Sequence, residues 1–329
     1  MTMPHNVKRG VSLYSFQEEY FLGKMSLEDC IATAAELNIP GIEVIGEQMV
    51  PGFPNPPGDF FARWHGWMEK YRRTPVCHDM FLDMNRRPGR MMTEDEMVQS
   101  VIRDLQFAKK LGCTVIRVIV NTPPEVVEKA LPRAEQLGVR LGLEIHSPFS
   151  LDHEWIKRHM EVMDRTGTHF YGLIPDLGIF VKKFPRIISE RFVRNGAHEK
   201  IVEYIVARYD SHEPLDDLIH EVEKQGGNEQ DIALAQQVQH YVHTDPRQLL
   251  EQMPRIFHIH AKFYEMLPGY TEYSIPYAEI IPVLIEGGFD GYVSSEYEGN
   301  RHIQDVHEVD SVEQVRRHQI MLQQLLGES

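Results

Sequence analysis

The chain has 329 residues, of which 42% are hydrophobic and 25% charged, and its formal net charge is −15. A field of this sign repels phosphate backbones and anionic lipid, which disfavours nucleic-acid and membrane partners. Three cysteines without a CxxC pair argue against a disulfide framework or a zinc–thiolate site. Neither a signal-peptide core nor an 18-residue apolar run is present in the sequence, so we expect a cytoplasmic protein.

Short β-branched runs alternate with helical patterns along most of the chain, which predicts βαβ units and a parallel sheet. In the first half, five predicted strands occupy residues 10–15, 41–46, 74–81, 113–120 and 139–147. The first intervening helix is expected to begin after Ser26 as its N-cap. The third is expected to begin at a capping box formed by Thr93 and Glu96.

The alternation breaks after a sixth predicted strand at 169–178. Residues from about 182 to 255 contain no clear strand and show four helical patterns. Strands seven and eight follow at 254–266 and 290–299, each succeeded by a helix. We therefore predict one α/β domain over 1–329, a (β/α)8 TIM barrel with a helical insertion between strands 6 and 7. An open doubly wound sheet is the alternative, but it usually has a glycine-rich phosphate loop after strand one, where this chain has LYSFQEEYF.

Catalytic groups of such barrels lie at the C-terminal ends of the strands. The polar residues at the predicted ends are Glu43, His78, Arg117, Glu144, His146, Asp176, His258, His260, Lys262 and Glu296. Burying several carboxylates requires a compensating positive charge, which a divalent cation supplies. Three carboxylates and one imidazole suit Mn²⁺ or Mg²⁺ better than a closed zinc site. A structural role remains the alternative for each residue alone.

His146 is the candidate general base. It lies two residues after Glu144 and so shares its face of the strand. It is not needed as a fourth ligand, and an imidazole titrates near neutrality, which suits proton abstraction. The alternative is a histidine that is only hydrogen-bonded to a loop carbonyl.

The strand ends LGLEIH, PDLG, FHIHAKF and SSEYEG together resemble the xylose isomerase-like barrel superfamily. That superfamily includes sugar isomerases, ketose 3-epimerases and inosose dehydratases. The resemblance implies a single divalent metal, with Mn²⁺ preferred and Mg²⁺ or Co²⁺ as alternatives. Its ligands would be Glu144, Asp176, His260 and Glu296. His260 is favoured over His258 because the family histidine opens a His-x-Lys segment, here ending at Lys262.

The ending SSEYEGNRHIQD and the long helical insertion are similar to the α subunits of bacterial C-glycoside deglycosidases. That resemblance implies a carbon–carbon lyase acting on 3-oxo-C-glycosides, a small β subunit and a higher oligomer. His146 would remove the C2 proton, and either His78 or a phenolic aglycone would supply the leaving-group proton. The expected substrate-binding residues are Glu43, His78, Arg117, His258 and Lys262.

Two alternatives to the lyase remain open. In a sugar isomerase or ketose 3-epimerase, Glu144 and Glu296 would form the acid–base pair on the two faces of the sugar. In a non-catalytic binding protein the barrel would be kept without turnover. Intact candidate ligands argue against the binding protein, because a scaffold has no need for a costly acidic mouth.

Overall fold

In the computed structural model, which describes residues 5–85, 88–241 and 243–328, eight parallel strands form one sheet. The strands are β1 (Lys8–Ser12), β2 (Gly41–Ile45), β3 (Thr74–Met80), β4 (Val115–Val118), β5 (Arg140–Ile145), β6 (Tyr171–Pro175), β7 (His258–Phe263) and β8 (Tyr292–Tyr297). Their spatial order is β6-β5-β4-β3-β2-β1-β8-β7. Parallel bridges from Leu173 to Ile256 and from Asp176 to His260 bring the β6 and β7 edges together. The predicted barrel is therefore confirmed.

Helices cover the outside of the sheet. The longer ones are α1 (Leu27–Glu36), α2 (Phe60–Tyr71), α3 (Glu94–Leu111), α4 (Pro124–Leu137), α5 (Glu154–Thr166), α6 (Arg186–Arg194), α7 (Glu199–Asp210), α8 (Leu218–Lys224), α9 (Glu229–Val238), α10 (Tyr277–Glu286) and α11 (Ser311–Leu326). Short helical turns lie at Leu13–Phe16, Gln17–Phe21, Gly46–Met49, Leu177–Phe180, Pro246–Gln248, Leu249–Gln252, Met253–Arg255 and Asn300–Ile303. A small hairpin pairs Met266–Leu267 with Thr271–Glu272. In the described residues, no helix is both long and apolar enough to cross a bilayer.

The predicted helix starts follow from side-chain capping. Ser26 accepts a hydrogen bond from the Asp29 amide, and Thr93 accepts one from the Glu96 amide. In both cases the acidic side chain returns a bond to the backbone of the cap, which satisfies two otherwise unpaired donors. Helix α3 ends at Gly112 with φ +86°, a left-handed conformation that favours glycine.

Inside the barrel, an apolar layer lies below a polar one, because residues two apart on a strand point to the same side. The lower layer includes Cys77, Val115 and Ile174. Two residues further along the same strands come Asp79, Arg117 and Asp176. The polar groups are thereby raised to the C-terminal mouth of the barrel, where enzymes of this fold carry their sites.

Between β6 and β7 the chain forms the four helices α6–α9, and the described residues of 182–255 contain no strand. Helices α6, α7 and α9 pack on one another, and α8 packs against α7 and α9. One side of α9 faces the barrel mouth, since Gln236 and Gln237 line the same cavity as Asp176 and Lys262. The insertion therefore forms a wall of the mouth.

Candidate active site

His260 lies at the centre of the polar layer. Its Nδ1 is 2.8 Å from Glu144 Oε1 and 3.6 Å from Glu296 Oε1. Its Nε2 is 3.1 Å from Glu43 Oε1, so both ring nitrogens face carboxylates. Ligand atoms of Glu144, His260 and Glu296 all lie within 4.8 Å of one another, which is compact enough to hold one metal ion. Three of the four predicted metal ligands are thus brought together.

Asp176, the fourth predicted ligand, is paired with Lys262. Its Oδ2 is 2.5 Å from Lys262 Nζ, and its Oδ1 accepts a hydrogen bond from the Gly178 amide. The same ammonium is 2.7 Å from Glu298 Oε2 and 3.9 Å from Glu296 Oε2. Lys262 therefore neutralises part of the acidic mouth from the side of β6 and β8.

Even so, the mouth contains more acid than base. Burial raises the pKa of Glu296 to about 8, although His260 and Lys262 oppose the shift. Burial, together with the nearby Glu43, also raises the pKa of Asp79 well above its usual range. The buried Oε2 of Glu296 has no hydrogen-bond donor among the described residues, since Lys262 Nζ stays 3.9 Å away. A further positive charge would relieve this arrangement, so the donor set fits a divalent cation.

Glu144 has the opposite electrostatic environment to Glu296. Burial raises its pKa, but Arg117 and the hydrogen bond from His260 outweigh burial and bring the pKa well below the usual value. Arg117 Nη1 is 3.7 Å from Glu144 Oε2. The guanidinium also lies 3.6 Å from Asp79 Oδ1 and against the Phe81 ring, so Arg117 is part of a network inside the barrel.

Glu43 and His258 lie beneath the mouth. Glu43 is 0% exposed and His258 1%, and their Oε2 and Nε2 atoms are 2.5 Å apart. The second Glu43 oxygen faces His260. Both side chains are enclosed by the barrel, and Glu43 contacts His258 and His260, so their position favours a supporting role over the predicted substrate contact.

The His78 side chain points from β3 to the outside of the barrel, towards α3. Its Nε2 is 3.1 Å from Asp104 Oδ1 on α3, and its ring packs near Phe107. The next residue, Asp79, points into the barrel, because neighbouring strand residues alternate between faces. His78 is 0% exposed, so we propose no contact with substrate for it.

His146 stands at the edge of a cavity of about 530 Å³ above the strand ends. The residues around this cavity are His146, Ser147, Pro148, Asp176, Gly178, Ala233, Gln236, Gln237, His240, Tyr241, Lys262, Tyr264, Glu298, Arg301 and His302. His146 is partly exposed, and its Nδ1 is 2.8 Å from the Ser147 carbonyl oxygen. A carbonyl only accepts, so Nδ1 carries a proton, and Nε2 is the nitrogen that is able to accept one.

Three residues of the site were not predicted from the sequence: Asp79, Glu298 and Tyr14. Glu298 accepts a hydrogen bond from Tyr14 Oη at 3.1 Å. Burial raises its pKa, but Lys262 outweighs burial and brings the pKa to about 2. The two-residue spacing from Glu296 could have identified Glu298, because both share one face of the chain. Tyr14 follows β1 in a helical turn and gives no comparable signal.

Comparison with known proteins shows which family the chain resembles. The model of the xylose isomerase-like TIM barrel family matches residues 31–323. The 3'-dehydrocarminate deglycosidase alpha subunit of Microbacterium sp. is 28% identical over 305 residues, which cover 88% of this chain and 88% of the relative. The C-glycoside deglycosidase alpha subunit of Arthrobacter globiformis is 28% identical over 330 residues, which cover 98% of this chain and 93% of the relative.

Solved structures share the fold at much lower sequence identity. A crystal structure of the IOLI protein with a binding zinc atom superposes with a TM-score of 0.56 at 12% identity, covering 98% of each chain. These comparisons confirm the predicted barrel family. The deglycosidase names of the sequence relatives confirm the prediction of an enzyme.

Proposed function

The chain belongs to the xylose isomerase-like TIM barrel family, and on that premise we propose that it is a metal-dependent lyase that splits the carbon–carbon bond of 3-oxo-C-glycosides. The observation that carries the proposal is a histidine base beside the acidic cluster. His146 lines the same cavity as Asp176, Lys262 and Glu298, and its Nε2 is the ring nitrogen that the Ser147 contact leaves able to accept a proton. The deglycosidase names of the two relatives support the same reaction.

Glu144, Asp176, His260 and Glu296 would hold the divalent cation. The carboxylate-rich donor set favours Mn²⁺, with Mg²⁺ or Co²⁺ as alternatives. When bound, the cation would stabilise negative charge that develops on neighbouring sugar oxygens. Asp176 has a lysine partner at 2.5 Å, so we propose that Lys262 shares this carboxylate and helps to position the sugar hydroxyls.

The reaction itself is an elimination. The C3 carbonyl acidifies the C2 hydrogen, and His146 Nε2 takes that proton. The electron pair of the C2–H bond forms the C1–C2 double bond, and the bond from C1 to the aglycone breaks. The departing aglycone carbon takes up a proton, so the products are an unsaturated 3-oxo sugar and the free aglycone. Because His78 is buried behind β3, a phenolic group of the aglycone is the better proton source.

Glu43 is proposed to position His260 rather than to bind substrate. A ligating histidine usually donates its second N–H to a carboxylate or carbonyl, which fixes the ring. Here Glu43 faces His260 Nε2 at 3.1 Å and is itself held by His258 at 2.5 Å. The Glu43→Gln variant should therefore bind Mn²⁺ about 10–100-fold more weakly. Metal titration monitored by electron paramagnetic resonance of free Mn²⁺ would measure this.

The matched control is Glu36→Gln, which changes an exposed glutamate at the end of α1. Unfolding of the metal-free proteins should be measured alongside the titration, because Glu43 is buried and its loss could disturb folding. A folded Glu43→Gln variant with wild-type Mn²⁺ affinity would contradict the positioning role.

The proposed lyase also implies a partner, since both relatives are named alpha subunits. We propose that this chain functions with a small β subunit in a higher oligomer. The test compares two preparations, metal-loaded chain alone and metal-loaded chain co-expressed with a small neighbouring-gene product. Each preparation is given a flavonoid 3-oxo-C-glucoside and, separately, free ketoses. Mass spectrometry should detect free aglycone from the glucoside, and more of it with the partner.

Interconversion of free ketoses without aglycone release would instead support the sugar isomerase or 3-epimerase. One observation favours that second candidate. The pKa of Glu144 is lowered while that of Glu296 is raised to about 8, and carboxylates whose pKa values are driven apart can serve as base and acid. Ligand binding with neither reaction would support the non-catalytic protein.

A further inference from the structure

The cavity at the barrel mouth has two chemically different parts. Its inner part is formed by residues near the strand ends, including His146, Asp176 and Lys262. Its outer part is formed by the insertion, through Gln236 and Gln237 on α9, and by Arg301 after β8. One cavity therefore connects the proposed reaction centre with a helix that ordinary barrels of this fold do not require.

The volume of about 530 Å³ lies within the range of pockets that bury a drug-sized ligand. A 3-oxo-C-glycoside has two parts, a sugar and an aromatic aglycone joined at C1. If the sugar fills the inner part with C2 facing His146, the aglycone on the neighbouring carbon must occupy the rest of the cavity. The part of the cavity left for it is the part that α9 and Arg301 enclose.

The outer part also differs from the rest of the protein in charge. The chain as a whole carries −15. The described side chains of the outer lining are nevertheless neutral or basic: Gln236, Gln237, His240, Tyr241, Arg301 and His302. The two acids that line the cavity, Asp176 and Glu298, are both paired with Lys262, at 2.5 and 2.7 Å.

We propose that α9 and Arg301 form a subsite for a hydroxylated aromatic aglycone, and that Gln237 and Arg301 determine which aglycone is accepted. This inference rests on the proposed lyase function. A glutamine amide both donates to and accepts from phenolic hydroxyls. A guanidinium favours an ionised phenol and also lies well against an aromatic face. Arg301 is about half exposed, with Glu298 at 3.7 Å and the Tyr14 ring against one face of its guanidinium, so the opposite face is available to a ligand.

The first test uses Gln237→Ala in the complex of metal-loaded chain and partner subunit. Alanine is a strong helix former, so the change should keep the helix while it removes the amide and its hydrogen bond with Tyr241. We expect kcat/KM for a flavonoid 3-oxo-C-glucoside to fall about three- to tenfold, as for one lost ligand hydrogen bond. Deuterium exchange at C2 of free 3-oxoglucose, which has no aglycone, should stay at the wild-type rate. Gln225→Ala, at an exposed glutamine elsewhere in the insertion, should match wild type in both assays.

The second test uses Arg301→Gln with two substrates, one with a free aglycone phenol and one with that phenol methylated. The wild-type enzyme should prefer the free phenol, and the variant should lose the preference. An unchanged preference would overturn the role of Arg301. If a variant at Gln237 or Arg301 lost glycoside cleavage and C2 exchange to the same extent, that residue would have only a structural role.

The outcomes separate this inference from the function on which it rests. If the wild-type complex releases no aglycone, both proposals fail. If it does, and Gln237→Ala behaves like Gln225→Ala, only the aglycone subsite is overturned. Loss of the partner subunit on purification, with unchanged aglycone selectivity, would identify α9 as a subunit contact and would also overturn the subsite.

Discussion

Replacing His146 with alanine is expected to lower aglycone release by about 10²–10⁴-fold, the usual contribution of a general base. Metal content should stay near wild type, because the ring bonds to the Ser147 carbonyl and is not part of the compact cluster around His260. The fold should also survive, since the side chain is partly exposed. The measurements are product release by mass spectrometry and bound metal by elemental analysis of the same sample.

A matched control is His169→Ala, which changes an exposed histidine before β6, at the opposite end of the barrel. It should keep both activity and metal. Loss of metal together with activity in His146→Ala would make His146 a ligand or a structural residue. Retained activity would shift the base to another group, with Glu144 and Glu296 the next candidates.

The alternation of strands and helices was readable in the sequence because it is a local pattern. Eight apolar runs and the caps at Ser26 and Thr93 were sufficient to predict the barrel. The face of a strand on which a residue lies was harder to predict from the sequence. His78 and Asp79 are adjacent, and only the structure shows that His78 bonds to α3 while Asp79 points inward. A one-residue error of this kind exchanges the two faces of a strand.

The remaining features depend on contacts between distant parts of the chain. Asp176 and Lys262 are far apart in sequence, yet they form an ion pair that no spacing rule reveals. The same holds for Glu43, whose two histidine neighbours come from β7. The helices of the insertion were predicted from their periodicity, but their position over the mouth follows from packing that the sequence does not display.

Removing the divalent cation with a chelator is expected to abolish turnover, and adding Mn²⁺ should restore it. At a concentration 100 times Kd, binding to the native state alone adds about 2.7 kcal/mol to the free energy of unfolding. The physical reason is the excess of buried carboxylates, evident in the raised pKa of Glu296. Denaturant unfolding with and without Mn²⁺ measures the gain, and a metal-free chain with full activity would contradict the prediction.

The Glu144→Gln variant tests where the ion binds. It removes one ligand charge beside His260 and should eliminate most of the Mn²⁺ stabilisation, whereas Glu36→Gln should retain all of it. A second group of candidate ligands, Glu43, Cys77 and Asp79, reaches deeper into the barrel through Cys77, which belongs to the apolar layer. Asp79→Asn should leave the stabilisation largely intact if the ion binds at Glu144. The reverse pattern, with loss in Asp79→Asn and none in Glu144→Gln, would move the metal to the deeper group and remove it from reach of a substrate beside His146.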